Sequence, residues 1–237
     1  MKTYLTYDDV NIVPKFSEVL SRDDVDLSTR FTKNTTMSIP IVSSPMDTVT
    51  EYKMASEMLD WGGVGVIHRF QSIEKQAEQM KRVWYQWDKW YNIGDEDKDR
   101  TDHHRIFDEW YKGVRHWNSP PTKSDYEDLH ELLWFADEAE KDEDYWSKRP
   151  LCAAIGTKGD YLERAQELVK NGCNVLLIDV AHGHHKLVGD ALEQIKKNIS
   201  RVEVVAGNIA TREGAEFLLQ SGADGIRVGI GNGSLCE

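Results

Sequence analysis

Short, almost continuously apolar runs recur along this chain, each followed by a stretch with helical spacing, and that alternation limits the fold more than any other feature. The runs occupy residues 39–42, 64–68, 151–155, 175–178, 202–206 and 226–228. After the first, Met54, Ala55, Met58 and Leu59 mark one face of a helix that Gly62-Gly63 ends. Ser72 is placed to cap the next helix, Gly172 to close one over 161–171, and Thr211 to cap one reaching Gln220, with a further helix over 187–198. Runs that are apolar at every position need cover on both faces, helices outside and a packed core inside. Strand, helix, strand, helix implies parallel pairing. Six such units with polar residues or glycines at the strands' C-terminal ends predict an α/β fold of the (β/α)8 TIM-barrel type, with its chemistry on that rim. A doubly wound open sheet satisfies the same alternation, but no Gly-x-Gly-x-x-Gly follows the first strand.

About six βα units leave the barrel incomplete, since eight strands close it and six left open expose two apolar edges. The expectation is an N-terminal portion of a barrel, read as a split gene, a product complemented by a second polypeptide, or a partial sequence. The last strand opens into Gly229-Ile230-Gly231-Asn232-Gly233-Ser234-Leu235-Cys236. Glycines at alternate positions let a backbone approach an ion or phosphate without a Cβ in the way. A thiol on such a loop can ionise and attack, although the same spacing also describes a glycine-rich turn ending at an ordinary buried cysteine.

Charge divides the chain into three. Of the net −12, residues 84–148 carry −9, from 18 Asp and Glu against 9 Lys and Arg. They also hold Trp84, Trp87, Trp90, Trp110, Trp117, Trp134 and Trp146. This segment reads as a helical insertion after the second helix, two or three short helices packed by aromatics and broken at Asn118-Ser119-Pro120-Pro121. Residues 1–83 then supply an N-terminal arm and the first two βα units, and 149–237 supply units three to six. The acidic balance argues against a nucleic-acid or anionic-membrane partner. Cys152, Cys173 and Cys236 are far apart and odd in number, which fits free thiols in a reducing, cytoplasmic setting. No apolar run approaches a membrane span and no charged-then-apolar leader opens the chain. Two histidine groups, His103-His104 and His182-Gly183-His184-His185, suggest metal ligands only weakly, since no third histidine or cysteine accompanies the first.

Three blocks carry a more specific signal: Ile39-Pro40-Ile41-Val42-Ser43-Ser44-Pro45-Met46-Asp47-Thr48-Val49-Thr50-Glu51, Ala206-Gly207-Asn208, and Arg227-Val228-Gly229-Ile230-Gly231-Asn232-Gly233-Ser234-Leu235-Cys236. In this order they resemble the IMP dehydrogenase and GMP reductase family, over about residues 4–83 and 150–236. Asn232 stands where that family has proline, serine or glycine, and Glu237 where a threonine-containing run continues. The resemblance settles the barrel over the doubly wound sheet. It implies that Cys236 adds to C2 of a purine nucleoside monophosphate, and that NAD or NADP exchanges a hydride there.

The resemblance also assigns the neighbours. Ser44, Met46, Asn208 and Ser234 would bind the nucleotide, Asp179 and Gly229 the cofactor, and the carbonyls of Gly231, Gly233 and Cys236 a potassium ion. The metal-like stretch after Asp179 recurs in the family without binding metal. A homo-oligomer, a tetramer in the family, or a complementing C-terminal fragment is the implied assembly. The insert falls where IMP dehydrogenases carry a regulatory pair of cystathionine-β-synthase motifs. It is about half the length needed and lacks their rhythm, so it is expected to be a helical decoration, with a lid or partner surface as the alternative. The first block looks more like the dehydrogenase, whereas His68-Arg69-Phe70 and Ile178-Asp179-Val180-Ala181-His182 look at least as much like the reductase.

Overall fold

A computed structural model of the chain describes residues 9–91 and 150–230. The chain divides into two compact units, Met1–Trp87 with Ser147–Glu237, and Asp88–Trp146. Beyond Tyr91 the second lies outside the described residues, and with it most of the expectations for the aromatic insert.

A hairpin, β1 (Thr29–Arg30) and β2 (Thr36–Met37), precedes six strands: β3 (Val42–Ser43), β4 (Val64–Ile67), β5 (Cys152–Ile155), β6 (Val175–Asp179), β7 (Glu203–Ile209) and β8 (Gly225–Val228). They pair in parallel in the order in which they occur along the chain. Between them run α1 (Tyr52–Asp60), α2 (Ile73–Tyr91), α3 (Tyr161–Lys170), α4 (Lys186–Asn198) and α5 (Arg212–Gln220). A doubly wound sheet reverses its strand order once and places helices on both faces. Here the order never reverses, so right-handed crossovers leave every helix on one face.

The period-2 alternation of side chains sorts the buried residues into two layers. Ile67, Ala153, Ile155, Leu176, Ile178, Val204 and Ala206 pack against helix residues such as Leu59, Met80, Leu168, Leu192, Ile195 and Leu218. Val64, Val66, Cys152, Ala154, Val175, Leu177 and Val205 form the inner layer, which meets no helix but receives Phe31 and Met37 from the hairpin. That is the wall of a (β/α)8-type barrel, six strands wide.

The helix stops follow the sequence. Ser72 Oγ accepts the Lys75 N–H, Thr211 Oγ1 accepts the Gly214 N–H, and Gly172 takes φ +96° just after α3. Two boundaries differ from expectation. The first strand is not 39–42 but two residues at Val42–Ser43, because Pro40 has no N–H and the Ile41 N–H turns back onto Ile39 O. Helix α2 continues to Tyr91, so Trp84, Trp87 and Trp90 prolong the second barrel helix instead of starting a separate one.

The hairpin closes the barrel floor. Glu203, first residue of β7, accepts hydrogen bonds from Thr32 Oγ1, from Thr35 Oγ1 at 2.5 Å, and from the Asn34 backbone N–H and side-chain amide, both at 3.0 Å. Asp224 joins β7 and β8 at the same end, accepting from the Val204 N–H at 2.8 Å and pairing with Lys196. With its lower end occupied, the barrel's open positions are at the strands' C-terminal ends.

Candidate active site

Three neighbouring strands bring together three of the expected residues, Asp179, Asn208 and Gly229. Asp179 ends β6 and lies level with Gly207 of β7, which lies level with Arg227 of β8. Gly207 has no side chain to stand between its neighbours, and the Arg227 Nη1 donates to Asp179 Oδ1 at 2.6 Å across it. A Cβ at 207 would fall 2.5 Å from Arg227 O and 2.7 Å from Arg227 Cβ, so only glycine permits this approach of β8.

Asn208 follows on the same strand. Its N–H donates to Val180 O at 2.8 Å and its carbonyl accepts the Gly183 N–H at 2.6 Å, which fixes the backbone from both sides. Its Oδ1 is buried and has no hydrogen-bond partner among the described residues. A buried acceptor left unmatched costs about 1–3 kcal/mol, so this atom is suited to a donor from a ligand. Gly229, at φ +129°, donates its N–H to Ile209 O at 2.8 Å, and there the loop leaves the sheet.

Ser44 and Met46 sit at the same C-terminal end but on the opposite edge of the sheet. The loop after β3 folds on itself: the Ser44 carbonyl accepts both the Thr50 hydroxyl at 2.6 Å and the Met46 N–H at 2.8 Å, and the Met46 carbonyl accepts the Val49 and Thr50 N–H groups at 3.0 Å. Thr50 also donates to Ser43 Oγ at 2.8 Å. Among the described residues no hydrogen bond or ion pair joins this loop to Asp179 or Asn208. Ser234, Cys236, Gly231 and Gly233 lie outside the described residues.

Arg227 was absent from the residues expected at the site, although it stands inside the quoted motif. Its signal was positional, two residues before Gly229 and level with Asp179, and it emerges only once the register is known. His68 is the second addition. Its ring is buried at the end of β4, with Nδ1 accepting the Phe70 N–H at 3.2 Å and Nε2 3.6 Å from Glu51 Oε1. In the histidine stretch, His185 Nδ1 accepts the Leu187 N–H as the cap of α4, and His184 packs on Phe217 at 5.2 Å between ring centroids. Among the described residues no group of three His, Cys, Asp or Glu side chains is placed to hold a metal ion. Nor is any helix among them long and apolar enough to cross a membrane.

Two of the three cysteines can be set aside as nucleophiles. Burial pushes the Cys173 thiol up to about 12, and burial, with Cys173 nearby, holds the Cys152 thiol well above its ordinary value. Both sulfurs are free and packed in the cores, where a thiolate is not available.

The profile described as "IMP dehydrogenase / GMP reductase domain" matches residues 4–237. An inosine-5'-monophosphate dehydrogenase of Nitrosopumilus maritimus is 35% identical over 312 residues, covering 99% of this chain and 63% of that protein. One from Borreliella burgdorferi is 37% identical over 242 residues, covering 99% of this chain and 55% of that protein. Among solved structures, GMP reductase from Trypanosoma brucei in complex with guanosine 5'-triphosphate superposes with a TM-score of 0.71 at 28% identity, covering 100% of this chain and 73% of that one. The chain thus spans between half and two thirds of the named dehydrogenases it matches. By the reach of the profile and the shared barrel wall, the chain belongs to the IMP dehydrogenase / GMP reductase family.

Proposed function

We propose that this chain forms the larger part of an IMP dehydrogenase, oxidising IMP to XMP with NAD through a covalent intermediate on Cys236. The observation that carries the reading is the row Asp179, Gly207-Asn208 and Arg227-Gly229 at the ends of three adjacent strands, with Cys236 seven residues further along the sequence. Asp179 keeps Oδ2 without a partner among the described residues, and Asn208 Oδ1, one residue beyond the Gly207 that pairs with Asp179, is an orphaned acceptor on β7. These acceptors fit a ligand rich in hydroxyl and amide donors, and Asp179 is the residue that would hold the ribose diol of the cofactor. The nicotinamide supplies the hydride acceptor when it is bound.

The chain's own residues divide the rest of the work. Cys236 Sγ adds as the thiolate to the electron-poor C2 of the hypoxanthine, the C2–H bond breaks with its hydrogen leaving as hydride to the oxidised cofactor, and water then displaces sulfur at that carbon, releasing XMP, a proton and the thiolate. Asn208 orients the base against the cysteine loop, Ser44 and Met46 line the base and ribose, Ser234 contacts the 5'-phosphate, and Gly229 gives the cofactor close access to the backbone. The carbonyls of Gly231, Gly233 and Cys236 are the candidate potassium ligands, and no step here depends on that ion. The compartment would be the cytoplasm. Two further βα units, from the same polypeptide or a separate one, complete the barrel at the edges β3 and β8.

A GMP reductase is the second reading, favoured by the superposition on the trypanosomal enzyme. The test is to combine the chain with a segment supplying the remaining βα units and to follow NADH formation from IMP and NADPH oxidation with GMP. NADH formation that vanishes in Cys236→Ala supports the dehydrogenase, and GMP-dependent NADPH oxidation supports the reductase. Absence of both under any complementation would point to a non-catalytic subunit that pairs with another barrel.

A further inference from the structure

The pair formed by Asp179 and Arg227 is half used. Arg227 Nη1 donates to Oδ1 at 2.6 Å, while Oδ2 has no partner among the described residues. The strongest arginine–carboxylate pairs engage both oxygens through the guanidinium fork. This one has side-chain exposures of 37% for Arg227 and 21% for Asp179. Pairs with that access to solvent contribute little to folding. Its effect is on direction, because one carboxylate oxygen of a strand-end aspartate is fixed and the other has no partner among the described residues.

The fixing group is also close to the loop. Two residues beyond Arg227, the Gly229 N–H is bonded to Ile209 O and the segment carrying Cys236 begins. Gly207, where even a methyl group would collide with Arg227, keeps the two strands close enough for the reach. We infer that Arg227 is a positioning residue that aims Asp179 at the cofactor's ribose and ties that contact to the root of the cysteine loop. The inference rests on Asp179 holding the cofactor, as argued above.

A double-mutant cycle on Arg227→Gln and Asp179→Asn tests it, in the chain combined with the segment that completes the barrel. NAD affinity is read by equilibrium dialysis, with IMP affinity as the control. Arg227→Gln is expected to weaken NAD binding about tenfold, the lower range for a hydrogen bond to a charged group, and to leave IMP binding unchanged. Asp179→Asn loses at least as much, and the double variant is no worse than Asp179→Asn alone, because Arg227 acts only through the carboxylate. Arg227→Lys keeps the charge without the fork and recovers only part of the loss. Should Arg227→Gln also lose IMP, it has lost its fold, and the cycle is then run with Arg227→Lys.

Additive losses, or full NAD affinity in the Arg227 variant when Asp179→Asn has lost it, overturn the role of Arg227 and leave Asp179 standing. NAD affinity that is indifferent to Asp179→Asn, or missing from the unmodified protein, overturns the reading of Asp179 and this inference with it.

Discussion

Of the three thiols, Cys152 and Cys173 sit in packed cores with their ionisation pushed up by burial, so only Cys236 is a candidate for attack near neutral pH. A disulfide-exchange reagent at pH 8 is therefore expected to label one thiol quickly and two only as the protein opens, and Cys236→Ala should abolish the fast phase. A second fast thiol would refute the assignment. The same shifts set an alkaline limit. An unfolded chain releases these protons from the ordinary value of 9.0, whereas the fold retains the Cys173 proton to about 12. Stability present below pH 9 should then fall as pH rises towards 12, by about 1.4 kcal/mol per pH unit for each thiol. At this scale local motifs in the sequence single out Asp179 and Asn208, and the structure places both at the C-terminal ends of neighbouring strands. The sequence did not disclose Arg227, whose meaning depends on being level with a residue 48 positions away.

Between elements, the buried join is polar. Gln76 of α2 donates to Ile67 O at 3.3 Å and Ala154 O at 2.8 Å and accepts from Arg164 Nη1 at 2.8 Å, and Arg164 is held in turn by Asp160 at 2.7 Å. Neither Gln76 nor Arg164 reaches solvent appreciably, so one amide satisfies groups on β4, β5 and α3 together. Gln76→Leu should leave two carbonyls and a guanidinium nitrogen without that partner, and chemical denaturation is expected to show a loss of about 2–4 kcal/mol. An unchanged midpoint would mean that water replaces the amide. Most element positions were legible because the strand centres are apolar and α1, α3 and α5 each have a visible start or stop at Gly62-Gly63, Gly172 and Thr211. Gln76 was not, since a glutamine at that helical position reads as a solvated one. The first strand was misplaced for a related reason: Ile39 and Ile41 have the composition of a strand, but Pro40 between them breaks the hydrogen-bond ladder.

At the scale of the molecule, the monotonic strand order came from alternation and family motifs, whereas the floor did not, because nothing local in Thr32 or Glu203 announces their contact. Strands β3 and β8 each have one neighbour among the described residues, and Ile41, Val42, Val228 and Ile230 are exposed beside them. Ile12, Phe16 and Leu20 of the arm are likewise exposed. Unpaired parallel edges with apolar side chains seek partners. Sedimentation of the 237-residue polypeptide by itself should therefore show association that grows with concentration, and recedes if the two further βα units proposed above are supplied. A monomer at every concentration would show that the edges are protected.

The floor contact also carries a cost in time. Thr32 and Glu203 are separated by 171 positions, so the hairpin cannot be fastened until that many further residues have been synthesised. At about 5–20 residues per second, ribosomal elongation leaves that hairpin without its anchor for roughly 10–30 s. During that interval the nascent N-terminus is the portion most in need of a chaperone.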